Sequence, residues 1–105
     1  MVKEERNRYI VFKIYSNSDV SKEDLAKDIW RTLLAMYGEY GASKTNFWLI
    51  EYDKNTKKGI IRCTHTTVNM MRTVLAFTTK IAETPVIIKT LGISGTIKAA
   101  KEKFY

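Results

Sequence analysis

The stretch from Arg8 to Tyr15 is apolar on both sides of a strand, and this limits the folds open to the chain. Successive side chains of a β-strand point to opposite faces. Ile10, Phe12 and Ile14 therefore share one face, while Tyr9, Val11, Lys13 and Tyr15 share the other. Neither face suits water, so the strand calls for cover on both sides.

The residues after Tyr15 supply the first cover. Ser16 to Val20 is a polar break, and Ser21 before Lys22, Glu23 and Asp24 reads as an N-cap with acids in the first helical turn. Leu25, Ile29, Leu33, Met36 and Tyr40 then recur at helical spacing, widened by Ala26, Trp30, Leu34 and Tyr37, with Gly38 and Gly41 suited to the helix end. Thr45 to Tyr52, aromatic and β-branched, predicts a second strand with Trp48, Ile50 and Tyr52 on one face and Phe47 and Leu49 on the other. Asp53 to Gly59 is a turn carrying Lys54, Lys57 and Lys58, and Gly59 to Thr64 returns as a third strand.

Thr66 or Thr67 caps a second helix running to about Glu83, stopped by Pro85, and Val86 to Leu91 is a fourth strand. Gly92 and Gly95 then read as a hinge, able to take positive φ or to approach another backbone. Beyond it Thr96 caps a short helix. Ile97, Ala100 and Phe104 fall on one side of that helix, and Lys98, Lys101 and Lys103 are biased away from them.

This order predicts an α+β chain of ferredoxin-like or RRM-like βαββαβ type. Its four-stranded antiparallel sheet carries two helices on one face, plus a short C-terminal helix. With 105 residues, one Pro and no repeat or low-complexity run, residues 1–105 are expected to form a single domain. If Ile10, Phe12 and Ile14 meet the helices, the open face holds Tyr9, Val11, Tyr15, Phe47, Leu49, Ile60 and Ile87, with Lys13, Arg62 and Lys89 among them. A patch so apolar marks an interface. Either the terminal helix folds over it or a partner protein does.

The net charge of +7 is one-sided. Residues 1–52 hold eight basic and eight acidic side chains, whereas residues 53–105 hold ten basic and three acidic. Charge gathered in this way favours a polyanionic partner, of which nucleic acid is the commonest. The third strand, from Lys58 to His65, lacks the aromatics on which RRM proteins stack bases. Contacts to the RNA backbone are expected instead, from Lys54, Lys57, Lys58, Arg62, Lys98, Lys101 and Lys103.

Enzymatic signals are weak. Cys63 and His65 lie two apart on an expected strand, yet no further cysteine or histidine completes a zinc site and no third group orients the imidazole. Cys63 reads as a small core residue. No dinucleotide or P-loop motif is present, and Gly92 to Gly95 falls short of a phosphate cradle. No apolar run approaches a membrane span, and the charged start, Met1 to Arg8, lacks the apolar region of a secretory signal. A lone cysteine, unable to form an internal disulfide, points to the reducing cytoplasm.

Gly59-Ile-Ile-Arg-Cys-Thr-His65 with the helix after it, and Leu91-Gly-Ile-Ser-Gly-Thr-Ile-Lys-Ala-Ala-Lys-Glu-Lys-Phe-Tyr105, resemble the archaeal ribonuclease P protein component 2 family. The likeness spans nearly the whole chain, including the Arg8 to Ile14 strand and the long first helix. Its most specific part is Gly-x-Ser-Gly-Thr-Ile-Lys-x-Ala, from Gly92 to Ala100.

The resemblance implies a non-catalytic subunit of the ribonucleoprotein endonuclease that removes the 5′ leader from precursor tRNA. In that enzyme the RNA is the catalyst and binds Mg²⁺, and the protein itself needs no cofactor and carries no fixed catalytic residues. The implied partners are the ribonuclease P RNA, protein component 3, the other protein subunits and, as substrate of the complex, precursor tRNA. A homodimer is left open. The alternative is a small-ligand regulatory or dimerisation module of the same fold, for which a one-sided positive charge has no use.

Overall fold

A computed structural model describes residues 6–105; the charged run before Arg6 lies outside them. The elements are β1 (Asn7–Tyr15), α1 (Lys22–Ser43), β2 (Trp48–Asp53), β3 (Lys58–Thr64), α2 (Val68–Phe77), β4 (Lys80–Ile81), β5 (Thr84–Pro85), β6 (Ile87–Ser94) and α3 (Ile97–Phe104). A single 3₁₀ turn, His65–Thr67, leads into α2. The main sheet runs β2-β3-β1-β6, every neighbouring pair antiparallel. This is the ferredoxin-like arrangement expected from the order of periodicities. The strand that is apolar on both sides, β1, lies inside the sheet.

Ser21 caps α1 as its position predicts, its Oγ accepting from the Asp24 N–H at 3.1 Å. Leu25, Ile29 and Leu33 bury one face against Ile10, Phe12 and Ile14, and Met71, Val74 and Leu75 of α2 close the same core. Gly38 does not end α1. It breaks the helix at φ 70°, ψ 177°, a conformation reached almost only by glycine, and the helix resumes to Ser43. Beyond the break Ala42 is buried, while Tyr40, expected on the buried stripe, is 77% exposed.

β2 begins at Trp48, three residues later than expected, because Asn46 takes a left-handed φ of 50° and Thr45 turns inward. The Thr45 hydroxyl donates to the Ala42 carbonyl at 2.7 Å, joining the end of α1 to the strand. Between Leu49 and Glu51 the pairing with β3 slips by one residue. The bulge puts Tyr52 on the same helix-facing side as Leu49, where strict alternation would set the two on opposite faces, and its ring stacks on Phe12 at 6.4 Å.

α2 stops at Phe77, not near Glu83. The Thr78 hydroxyl returns to the Val74 carbonyl at 2.7 Å, and the chain forms the small β4–β5 hairpin, turning through Ala82 and Glu83 at left-handed φ. The Ala82 N–H donates to Asp28 Oδ2 at 2.8 Å, tying that turn to α1. Ile81, expected on a helix, enters the core from this hairpin.

Candidate nucleic-acid interface

α3 folds back over the open face of the sheet. Its N-cap is Thr96, whose Oγ1 accepts from the Ala99 N–H at 3.1 Å. Ile97, Ala100 and Phe104 turn onto the strands and close a second, smaller core over Val11 and Ile60, both 0% exposed. Gly92 is no hinge. It lies within β6 beneath the Phe104 ring, so close that a Cβ would stand 2.0 Å from it. Gly38 alone among the glycines takes a positive φ, so Gly95 is no left-handed pivot either.

Two polar contacts hold α3 in place. Lys101 Nζ pairs with Glu51 at 2.8 Å, and Lys58 Nζ donates to the Phe104 carbonyl at 3.1 Å, where the helix dipole is negative. Burial, followed by the nearby Glu51 carboxylate, holds the Tyr105 phenol well above the ordinary tyrosine range.

The expected partner face is thereby divided. Val11 and Ile60 are sealed under α3, and Tyr9 is half-covered at the rim of the same cluster. Leu49 lies in the core on the helix side with Phe47 packed against it, which corrects their placement on the open face. The reason is register: Leu49 pairs with Ile61, which pairs with Ile10, and all three point toward the helices. The alternation within β2 could not reveal which of its faces turned inward. Tyr15 and Ile87 remain bare, at 46% and 68% exposed.

The expected RNA-contacting side chains also divide. Lys54 stands free at the β2–β3 turn, and Lys98 and Lys103 project from α3 into solvent. Lys57, at a left-handed φ of 59°, donates its Nζ to the Ser16 carbonyl at 2.9 Å. Lys58 and Lys101 are occupied in anchoring α3. Arg62 lies between Trp48 and Tyr9 across the strands, its Nε buried and without an acceptor among the described residues.

The expected open-face lysines Lys13 and Lys89 prove to be cross-strand partners, and with Lys58 they make a row of three. Sequence reasoning named both but did not count them among the RNA contacts; the register that joins them was the missing signal. A second feature went unread, a groove of about 520 Å³ between α1 and β2 lined by Trp30, Phe47 and Trp48. Trp30 stacks on Phe47 at 6.4 Å, and Trp48 is 62% exposed.

Cys63 and His65 do not meet as a nucleophile and base. The strand ends at Thr64, so Cys63 stays in the core while His65 is exposed, its Nδ1 3.2 Å from the Arg6 carbonyl. Burial pushes the Cys63 thiol up to about 11, against the opposing effect of a hydrogen bond with Thr67. At neutral pH it is a protonated core group. Among the described residues, no helix is long and apolar enough to cross a membrane.

Known proteins share this sequence and shape. A model of the Rpp14/Pop5 family matches residues 8–105. Ribonuclease P protein component 2 of Pyrococcus horikoshii is 42% identical over 100 residues, which cover 95% of this chain and 83% of that protein. The protein of the same name from Methanocaldococcus jannaschii is 39% identical over 100 residues, covering 95% and 73%. A chain of the cryo-EM structure of yeast ribonuclease MRP matches 91% of this chain and 79% of its own with a TM-score of 0.70. At 14% identity that last likeness is one of fold.

Proposed function

The chain belongs to the Rpp14/Pop5 family, and from that membership we propose that it serves as a non-catalytic protein subunit of ribonuclease P in the cytoplasm. In this reading the RNA cleaves the 5′ leader from precursor tRNA with its own bound Mg²⁺. The protein, acting as one domain together with protein component 3, binds and stabilises the catalytic domain of that RNA. The observation that carries the reading is the likeness over 95% of the chain to proteins bearing the component 2 name.

The site is consistent with it. Exposed ammonium groups at Lys54, Lys98 and Lys103 lie on two separate elements, a turn and a helix, and so can neutralise phosphates from more than one RNA segment. Neutralised segments pack more closely, and an RNA held in its working shape binds its metal at lower Mg²⁺. In this reading component 3 docks on apolar surface. With Val11 and Ile60 covered, the Trp30–Phe47–Trp48 groove offers it.

Reconstitution tests this. The chain is added with component 3 to an archaeal ribonuclease P RNA, and precursor tRNA cleavage is followed at limiting Mg²⁺, with each protein also assayed alone. The pair should lower the Mg²⁺ requirement while this chain alone cleaves nothing. If adding the chain alters neither RNA binding nor cleavage, the subunit role fails.

A further inference from the structure

The corner of the open face beyond α3 carries lysines where strand pairing disfavours them. Lys58, Lys13 and Lys89 are direct partners across β3, β1 and β6, on strands spaced roughly 4.8 Å apart. All three leave the sheet on the same side, because Phe12, Ile14 and Ile88 beside them point into the opposite core. Like charges directly opposite one another destabilise a sheet. Lys58 is relieved by the Phe104 carbonyl, to which its ammonium donates at 3.1 Å. Lys13 and Lys89 pair with no carboxylate among the described residues.

One row along, Tyr15 faces Ile87, and both are open to solvent. The Lys13 ammonium lies 5.4 Å from the centre of the Tyr15 ring. Together with Lys57 these residues line a concavity of about 520 Å³. The corner therefore joins uncompensated positive charge to an exposed aromatic ring. At the middle of the sheet, where an RRM stacks its bases, Val11 and Ile60 are sealed by α3.

We propose that this corner holds one unpaired nucleotide of RNA, its phosphate between Lys13 and Lys89 and its base stacked on Tyr15 beside Ile87. The proposal rests on the reading of the chain as a ribonucleoprotein subunit. An unpaired strand is the occupant that uses both halves of the corner: a duplex offers phosphates to the lysines but no free base face to the ring.

The test is titration of the full chain, followed by fluorescence anisotropy across a range of salt, with a labelled twelve-nucleotide oligouridine and with an RNA duplex of equal length. Tyr15→Val keeps a strand-forming residue and removes the ring. It should weaken oligouridine binding roughly tenfold, leave the salt slope unchanged and leave the duplex unaffected, while Tyr15→Phe retains wild-type affinity. Lys13→Ala with Lys89→Ala should lower the slope of log K against log salt by about 0.7 for each phosphate no longer neutralised. Lys89→Ala alone should also raise the melting temperature of the free protein, by removing the like-charge pair.

Salt-dependent binding by the wild type with no loss in Tyr15→Val overturns the corner and leaves the subunit reading standing. Absence of salt-dependent binding to oligouridine also overturns the corner, and the reconstitution decides the subunit reading separately. A Tyr15→Val chain that binds RNA normally but no longer joins component 3 assigns the corner to protein and overturns the proposal.

Discussion

Each face of the sheet has a glycine beneath a phenylalanine ring, and the two pairs are unlike. On the helix side Gly59 lies opposite Phe12, where a Cβ would stand 2.5 Å from that ring and 2.9 Å from the Glu51 carbonyl oxygen. On the other side a Cβ at Gly92 would have the Phe104 ring as its three nearest atoms, from 2.0 to 2.5 Å away. Phe12 is held within a core built by β1, α1, β3 and α2. Phe104 is carried near the end of an eight-residue helix. The same device thus seals a permanent core on one face and seats a short cover on the other. The difference teaches where the molecule can vary its surface without unfolding.

The largest expected effect sharpens this contrast. Phe12→Ala should lower unfolding free energy by about 3–5 kcal/mol in urea titration, since the ring is fully buried and stacked on Tyr52. A loss below about 1 kcal/mol would make the helix-side core no firmer than the α3 side.

Next comes alkaline pH, which acts on the helix side through Cys63. A thiol is neutral when protonated, and burial favours that form in the folded chain. The unfolded chain releases its proton first, near the ordinary value of 9.0, and the folded chain near 11. Stability contributed by Cys63 is therefore whole below pH 9, declines as pH rises to about 11 and is flat beyond, a loss of about 2–3 kcal/mol. Urea midpoints at about pH 8 and pH 11 for wild type and Cys63→Ala isolate it, because the tyrosines contribute equally to both. The variant should lose less.

A smaller effect belongs to the cover. Gly92→Ala should destabilise by about 1–3 kcal/mol, read as faster amide exchange in α3 while β1 and α1 keep their protection. Combining it with Phe104→Ala should cost less than the sum of the two, since both act on one contact. Additive costs would show that Gly92 answers to something other than the ring. Smallest is Thr96→Ala, about 1 kcal/mol for the missing cap, seen as early exchange confined to the first turn of α3. A melt in which the whole chain loosens together would join the two faces into one cooperative unit.

The features legible in the sequence are those set by neighbours along the chain. The alternation of β1, the Ser21 and Thr96 caps and the apolar stripe of α3 depend on residues within a turn or two, and each formed as read. The strand order also agreed, because short connections leave few ways to pair four strands around two helices. What the sequence withheld was register. Nothing local marks the extra residue at Ile50, and without it Leu49 and Tyr52 are assigned to opposite faces. Nothing in Val74, Phe77 and Ile81, spaced like a helix, signals that Thr78 ends α2 and that Ile81 returns on a hairpin held by Asp28. The lysine row was hidden for the same reason, since Lys13, Lys58 and Lys89 are 45 and 31 residues apart in succession and meet only through pairing.

Gly38 can be understood as a reset of phase. Up to it the buried positions of α1 advance at the helical period, Leu25, Ile29, Leu33, and the count would next carry Tyr37 and then Tyr40 inward. The one residue at φ 70° discards that count and starts another, in which Ala42 points in and Tyr40 points out. The consequence concerns size: a small side chain closes the core where a tyrosine would have wedged α1 away from its neighbours. An alanine at position 38, content to continue the helix, would preserve the rhythm and lose the fit.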